Sequence, residues 1–374
     1  MTTGATAAPD AAGTVRAELL DCIQSNLAVL ADRFHGPGRH LLLGATLRFR
    51  PRPGPAGLPT VEPPLEEQLA DAARLGLAER ARWHRVPGAE LRTLAERHGP
   101  LYAVADAFHM PWLPYHGQRH MEHSFLVEPA PAAAGITDAY YNPTPWGLAA
   151  PGRWEQDWHA LPTASVVVLL EPAADGTGAP GTVTPGTDLA PAAERERYVA
   201  AFADHPDRVA ALEQLTAETW FLARSRKLHA ACRDALGRPA GPGTEDHLRR
   251  WDRLAEQTFV ALRRVQRGRP EPERLLPELA AALAADRAVF DGAADGLRTA
   301  VVAVVAEVLG TGVEAVLAAP ELPALRGFDS FRVVEIVEGL EERLGIDFDP
   351  EELLPENLHH LDELCRLVAR SARP

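Results

Sequence analysis

The feature that most constrains the fold is an Asp-Ser pair that opens a run of helical periodicity in the C-terminal part of the chain. Asp329 and Ser330 stand directly before apolar residues spaced by three or four positions: Phe331, Val334, Val337, Leu340 and Leu344. This spacing predicts one face of an amphipathic helix. Asp and Ser both favour the position that caps a helix. The serine therefore either caps the helix or keeps its hydroxyl exposed at the helix start, where an enzyme can modify it.

A strongly acidic segment surrounds this pair. The predicted helix carries four glutamates, and it is followed by the motif Leu344–Phe348 and by a final amphipathic run from Leu361 to Val368. From Ala294 onward the chain has 16 acidic and 7 basic residues, so −9 of the formal net charge of −14 lies here. Such a surface suits docking on basic partner proteins and repels the phosphates of nucleic acids, so we expect no nucleic-acid partner.

This C-terminal part resembles an acyl or peptidyl carrier protein. The resemblance is carried by the letters GFDSF, VVEIVEGLEERLGIDFDPEELLP and LDELCRLV, and it departs from the family at Phe331, where Leu is usual. It implies a four-helix bundle over residues 294–374 in which Ser330 carries a covalent 4′-phosphopantetheine arm. It also implies two partners: a phosphopantetheinyl transferase that attaches the arm, and an acyl-loading enzyme of adenylation or ligase type.

Composition places the chain among soluble globular proteins. With 374 residues, of which 46% are hydrophobic and 24% charged, it is long enough for two or three domains. It has no apolar run of about 18 residues and no basic start followed by an apolar core. We therefore expect no membrane span and a cytoplasmic location. Three scattered cysteines are too few for a disulfide framework or a zinc site.

The first cysteine falls in a predicted helix that runs from about Asp21 to Phe34, after residues 1–14, which are small and predicted to be disordered. Cys22 would lie in the first turn, where the helix dipole and unpaired N–H groups stabilise a thiolate. We then expect it to be alkylated faster than Cys232 or Cys365. The alternative for any single cysteine is a buried, inert side chain, and this is our interpretation of the other two.

Between residues 48 and 172 the pattern predicts an irregular proline-rich stretch, two helices and then several strands. The helices lie near 65–84 and 88–98, and the strands are 101–106, one that begins at His123, 135–142 and 165–170. A His that opens one strand and an Asp inside the next can lie side by side across a hairpin, so His123 and Asp138 are predicted neighbours. A helix-borne Cys, then a His about a hundred residues later, then an Asp or Asn is the order of papain-like thiol enzymes.

Residues 15–172 resemble the N-terminal domain of the butirosin-biosynthesis protein H family. The resemblance is carried by DCIQSNLAVL, by ADAFHMPWLPYHGQRHMEHSF and by the Asp-bearing strand that follows. It implies an α+β fold with a papain-like (cysteine-protease-like) domain. It also implies an acyltransferase that moves an aminoacyl group from a carrier protein to an amine. Position by position, Cys22 matches the nucleophile, His123 the base, and Asp138 the residue that orients the base.

Other residues near this site remain open to more than one interpretation. Asn142 could be the third catalytic member in place of Asp138, and Gln24 could join the backbone N–H of Cys22 in stabilising an oxyanion. The histidines could instead form a metal site, but no nearby Cys or Glu completes a familiar pattern. We therefore expect no metal, and surface or substrate-channel roles for His116 and His120. The metal alternative would use His109, His116, His120 and His123.

The rest of the chain is predicted to form a linker over 171–191 and an all-helical region over 192–291. The helices are predicted at Arg195–Ala203, Asp207–Leu236, Glu245–Arg264 and Pro270–Phe290.

We expect an enzyme fused to its own carrier: an acyltransferase of natural-product biosynthesis that passes an acyl or aminoacyl group through Cys22 to a small-molecule amine acceptor. Two alternatives remain. One is a thioesterase or cyclase that releases the carrier-bound group, and the other is a carrier joined to a non-catalytic docking domain.

Overall fold

The computed structural model of the chain describes residues 15–173, 183–238, 241, 243–290, 292–319 and 321–371; the predicted disorder of residues 1–14 lies outside them. The chain divides into two compact units. The first holds the described residues up to Leu47, then Arg52–Thr184, and also Gln214–Cys232. The second holds Arg48–Pro51, Pro185–Glu213 and the described residues from Arg233 onward. Gln214–Cys232, part of the predicted helical region, thus groups with the first unit.

The strands, in chain order, are β1 Thr46–Phe49, β2 Arg52–Pro53, β3 Pro59–Thr60, β4 Leu77–Val86, β5 Leu101–Asp106, β6 Glu122–Pro129, β7 Ala134–Asp138, β8 Asn142–Thr144, β9 Gly147–Ala149, β10 Gly152–Gln156, β11 Ala164–Pro172 and β12 Gly186–Leu189. The helices are α1 Gln24–His35, α2 Leu65–Ala70, α3 Gly88–His98, α4 Ala192–Asp204, α5 Arg208–Ala235, α6 Thr244–Val265, α7 Leu275–Phe290, α8 Gly292–Leu309, α9 Val313–Ala318, α10 Ser330–Leu344, α11 Pro355–Leu358 and α12 Leu361–Ser371. Among the described helices, none is long and apolar enough to cross a membrane.

The first unit is built around a six-stranded antiparallel sheet with the order β10-β7-β6-β5-β11-β4. The pairing of β6 with β7 sets Leu126 opposite Thr137, so Asp138 lies opposite Phe125. Because side chains two residues apart share a face of a strand, His123 and Phe125 point the same way. The register therefore brings His123 and Asp138 to one face of the sheet, as the hairpin prediction required.

The predicted helix over 65–84 is wrong beyond its first turns. Leu65–Ala70 is helical, a short 3₁₀ turn follows, and Leu77–Val86 forms the edge strand β4. Gly76, at a φ of 75°, ends the helical part in the left-handed conformation that glycine adopts at no steric cost. The segment then pairs with β11, and this long-range ladder outweighs the local helix propensity of its Ala, Glu and Arg residues. The helix 88–98 and the strand 101–106 are confirmed.

The second unit is almost wholly helical, and the four predicted helices between residues 192 and 291 are confirmed as α4 to α7, with the ends shifted by a few residues. In its C-terminal part α8, α10 and α12 share one apolar core. The predicted apolar face of α10 needs correction. Phe331 and Val334 are 83% and 55% exposed, whereas Val337 and Leu340 are buried as predicted and Ile336 joins them on the buried face.

Candidate functional site

Cys22 lies in a turn just before α1 and not in its first helical turn as predicted. The carboxylate of Asp21 accepts hydrogen bonds from the backbone N–H groups of Ile23, at 2.9 Å, and Gln24, at 2.8 Å. An Asp that binds the N–H groups two and three residues ahead is a typical helix start. The regular helix α1 begins at Gln24, two residues past the cysteine.

Two contacts fasten Cys22 to strand β6 on either side of His123. The Cys22 thiol donates to the backbone carbonyl of Glu122, with Sγ and O 3.4 Å apart. The hydroxyl of Ser124 donates to the carbonyl oxygen of Cys22 at 2.5 Å. Since Glu122 and Ser124 flank His123 in the chain, the cysteine is held beside the histidine by bonds to its neighbours.

The surroundings of Cys22 oppose ionisation. Its side chain is buried, and burial raises the pKa of the thiol well above its usual value, with further increases from the negative charges of Asp21, Glu62 and Asp138. Desolvation and nearby carboxylates both disfavour a thiolate. This environment therefore favours the neutral thiol over the thiolate that a helix start was predicted to stabilise.

His123 and Asp138 form a buried pair. The Nε2 atom of His123 lies 2.7 Å from Oδ2 of Asp138, and both side chains are almost completely shielded from solvent. A carboxylate accepts hydrogen bonds, so it selects the imidazole tautomer with the proton on Nε2. The other ring nitrogen, Nδ1, is buried and has no hydrogen-bond partner among the described residues. Nδ1 is therefore the atom with a lone pair to act as a base.

Two further donors hold the Asp138 carboxylate. The indole Nε1 of Trp112 lies 3.1 Å from Oδ2, and the backbone N–H of Tyr140 donates to Oδ1 at 3.0 Å. Such donors compensate a buried carboxylate for its lost hydration. The Tyr140 ring also packs edge-on against the imidazole of His123, with 5.2 Å between ring centroids. The imidazole is thus held on one side by a carboxylate and on another by an aromatic ring.

Of the two candidates for the residue that orients His123, Asp138 is the one that is hydrogen-bonded to it. Asn142 donates from Nδ2 to the Tyr115 hydroxyl at 2.9 Å and accepts from the indole of Trp220 at 3.0 Å, so its amide is used elsewhere and Asp138 is the residue bound to His123. The other open residue, Gln24, uses its side-chain carbonyl to accept from the backbone N–H of Asp21 at 3.3 Å.

Arg224 and Trp220, both on α5, belong to the surroundings of the site, and sequence reasoning missed them. The guanidinium of Arg224 donates to the carbonyls of Ala17 and Leu20, before the cysteine, and to that of Tyr141, after Asp138. It also lies 4.3 Å above the ring of Trp220. Burial lowers the pKa of Arg224. Nothing local distinguishes this arginine from others on the helix, because its partners are about 80 to 200 residues away in the sequence.

The remaining histidines and cysteines take other roles. His120 is exposed, bonds to Asp106 through Nδ1 at 2.6 Å and stacks on Phe108. Among the described residues, no group of three His, Cys, Asp or Glu side chains is placed to hold a metal. Cys232 is buried, and burial raises the pKa of the half-buried Cys365 to about 11.

Ser330 begins α10 but does not cap it. The side chain of Asp329 takes that role, because Oδ1 accepts from the N–H groups of Phe331 at 2.9 Å and Arg332 at 3.0 Å. Ser330 itself is exposed. The capping alternative for this serine is thereby removed, and its hydroxyl faces solvent at the end of a helix, where it fits the attachment of a bulky group.

Comparison with known protein families now adds an independent finding. Residues 299–368 match the family described as phosphopantetheine attachment site. This part of the chain is a carrier domain. Such a domain receives 4′-phosphopantetheine covalently on a serine, and Ser330 is the only serine between residues 299 and 368. Carrier domains are modified by a phosphopantetheinyl transferase and loaded by other enzymes. No curated protein matches the chain.

Proposed function

We propose that the chain is a cysteine-dependent acyltransferase joined to its own carrier, and that it works in natural-product biosynthesis. In this proposal the first unit is a papain-like domain akin to the butirosin-biosynthesis protein H family. It moves an acyl or aminoacyl group from a thioester to a small-molecule amine. The carrier domain places the protein in phosphopantetheine-linked biosynthesis, and the acyl-transfer chemistry is inferred from the buried residues of the first unit.

The observation that carries the proposal is the buried His123–Asp138 pair beside Cys22. A carboxylate on Nε2 leaves Nδ1 of His123 as the basic atom, and Cys22 is bonded to the residues before and after His123. A nucleophile next to a base that is oriented by a third group is the arrangement expected for covalent catalysis. A purely structural His–Asp pair would not require the second ring nitrogen to be buried without a partner.

Because the resting thiol is neutral, Cys22 would be activated by general-base catalysis during attack. The thiol proton moves to Nδ1 of His123 while Sγ forms a bond to the thioester carbonyl carbon. His123 then returns this proton to the departing sulfur as the original carbon–sulfur bond breaks. Asp138 holds the imidazole in position and stabilises its positive charge in between. The backbone N–H of Cys22 is our proposed donor to the oxyanion.

The second half-reaction uses the same residues in the same order. His123 takes a proton from the acceptor amine as its nitrogen bonds to the acyl carbon. The bond between that carbon and Cys22 Sγ then breaks, and the proton passes from His123 to the sulfur. The product is an amide, and the thiol is restored. On the carrier side, Ser330 would hold 4′-phosphopantetheine, which supplies a thiol that can carry the acyl group as a thioester.

The test follows the acyl group by mass. The intact protein is converted to its phosphopantetheine form, loaded with a candidate acyl group and digested, and peptides bearing Cys22 and Ser330 are compared over time. We expect an acyl group to appear on the Cys22 peptide and to be discharged by a small-molecule amine. The Cys22→Ala variant should retain the group on the Ser330 peptide.

Discharge by water at the same rate with and without amines would instead identify a thioesterase. An intramolecular ring product would identify a cyclase. A wild-type protein that never acylates Cys22, with any of the acyl groups tried, would favour the non-catalytic docking domain.

A further inference from the structure

We propose that Asn26 is the positioning residue that keeps Cys22, His123 and Asp138 aligned for acyl transfer. This inference rests on the proposed function, since it assigns a role within that site. Asn26 lies on α1, one helical turn after Cys22, and is completely buried. It was not among the residues that the sequence pattern selected.

The amide of Asn26 joins α1 to both strands of the site. Its Nδ2 atom lies 2.9 Å from the carbonyl oxygen and 3.0 Å from the hydroxyl oxygen of Ser124, and 3.4 Å from Oδ1 of Asp138. Its Oδ1 atom accepts from the backbone N–H of Ala139 at 3.0 Å. Ser124 follows His123 on β6, and Ala139 follows Asp138 at the end of β7. One side chain is therefore bonded to the residue after the base, to the residue after the orienting carboxylate, and to that carboxylate itself.

The network continues to the cysteine through Ser124. The Ser124 hydroxyl accepts from Asn26 and donates to the carbonyl oxygen of Cys22. The same amide thus sets where the cysteine backbone lies relative to His123. This matters because Nδ1 of His123 makes no hydrogen bond to the thiol or to any other described group. The alignment of Sγ and Nδ1 must then come from the scaffold around them.

Loss of this alignment should slow transfer strongly, because a misplacement of about 1 Å in a reacting pair can cost about 100-fold in rate. The competing explanation is that Asn26 only satisfies buried polar groups, as most buried amides do. Ser25 offers a matched control for that explanation. Ser25 is the preceding residue and is equally buried, and its hydroxyl donates a hydrogen bond to the carbonyl of Asp21 within its own segment.

The experiment measures single-turnover transfer from the loaded arm to Cys22 in the full-length protein, with circular dichroism to check folding. We expect Asn26→Ala to fold and to transfer about 100-fold more slowly than wild type. Ser25→Ala should stay within a few-fold of wild type. Equal rates in Asn26→Ala and wild type would overturn the proposal, as would equal losses in the two variants. If Asn26→Ala does not fold, Ser124→Ala removes the hydroxyl that links Asn26 to Cys22. This variant should slow transfer by about tenfold or more, because each lost hydrogen bond contributes up to about tenfold. An unchanged rate there would also overturn the proposal.

A pH profile separates positioning from space filling. Asn26→Asp keeps the acceptor for Ala139 but can donate only while the new carboxyl is protonated. The titratable groups around it are Asp138, His123 and Tyr102 on the strands, and Cys22 and Asp21 on its own segment. Two carboxyls this close share a proton, so transfer by this variant should fall as that proton is lost with rising pH, beyond any fall in wild type. An identical pH profile in both proteins would count against the proposal.

Failure of the proposed function can be told apart from failure of this inference. If wild-type protein never acylates Cys22, iodoacetamide labelling of Cys22 becomes the readout. As the pH is raised, labelling should begin to accelerate at a lower pH in Asn26→Ala than in wild type, because the cysteine would be less buried in that variant. Ser25→Ala should match wild type. Labelling that is the same in all three proteins would then overturn the role of Asn26.

Discussion

Cys22 and Ser330, the two candidate attachment points for an acyl group, each follow an aspartate in the same type of turn. The surroundings of the two turns differ. Asp21 and Asp329 directly precede Cys22 and Ser330, and each accepts from the N–H groups two and three positions ahead at 2.8 to 3.0 Å. The Asp-Cys turn is packed beneath a sheet, whereas the Asp-Ser turn lies on the surface of a carrier domain.

This difference indicates how each residue can be used. An exposed serine is open to a second enzyme and needs no reactivity of its own. A buried cysteine with a raised pKa depends on residues brought to it by the fold, above all His123 and Asp138. The same Asp-X turn therefore serves a modified residue in one region and a proposed nucleophile in the other.

The largest expected effect is the complete loss of phosphopantetheine attachment when Ser330 is replaced. Ser330→Ala should abolish attachment of 4′-phosphopantetheine by a phosphopantetheinyl transferase, because no other serine lies in the matched domain. Cys22→Ala should be modified as fully as wild type. Intact mass after incubation with coenzyme A and the transferase measures both. Modification that persists in Ser330→Ala would contradict the assignment.

The next largest effect concerns the buried region. His123→Ala should leave the modification of Ser330 intact but slow acyl transfer by about 10²- to 10⁴-fold, the usual contribution of a general base. Asp138→Asn should slow it less, since the base remains and only its orientation is disturbed.

Asn142→Ala is the matched control for Asp138→Asn, because its amide bonds to Tyr115 and Trp220 and not to His123. Transfer rates are measured by quenched digestion and mass spectrometry of the Cys22 peptide. Wild-type transfer by His123→Ala would remove the papain-like mechanism and leave the carrier domain as the supported function.

A smaller effect should appear in stability. Burial raises the pKa of Asp21 from 3.8 to about 6, so the folded state binds this proton more tightly than the unfolded state. Asp21 therefore contributes stability below about pH 4 that is lost as the pH rises through 6. The stability of Asp21→Asn relative to wild type should increase by about 2 to 2.5 kcal/mol between pH 4 and pH 7.5.

Urea unfolding of both proteins at the two pH values measures this change. Asp329→Asn makes the same substitution in the exposed copy of the turn and is the control. An equal dependence on pH in the two variants would show that burial is not the cause.

The smallest effect is predicted at the surface beside Ser330. Phe331→Ala should change stability by less than about 0.5 kcal/mol, because the ring is 83% exposed and surface substitutions rarely do more. Leu340→Ala, on the buried face of the same helix, should cost about 2 to 5 kcal/mol. Thermal unfolding of the two variants compares them. A large loss in Phe331→Ala would mean that the ring is packed in solution.

Much of the framework follows from patterns that span only a few residues. The strand 101–106, the helix 88–98 and the helices of the second unit have periodicities that each segment carries by itself. The pairing of His123 with Asp138 was also predictable, since two strands joined by a short hairpin pair in sequence order. The Asp-Ser helix start is local in the same sense, and there the sequence predicted the attachment serine.

What the tertiary structure decided depends on partners far away in the chain. The strand β4 exists because β11, more than eighty residues later, supplies its hydrogen bonds. The pKa of the Cys22 thiol is raised because the fold buries it against strand β6, about one hundred residues later, and brings Glu62 and Asp138 near the adjacent Asp21. The bond of Asp138, and not Asn142, to His123 and the positions of Asn26 and Arg224 also depend on distant partners. Periodicity and capping are properties of a segment, whereas burial, electrostatic environment and hydrogen-bond partners are properties of the assembled fold.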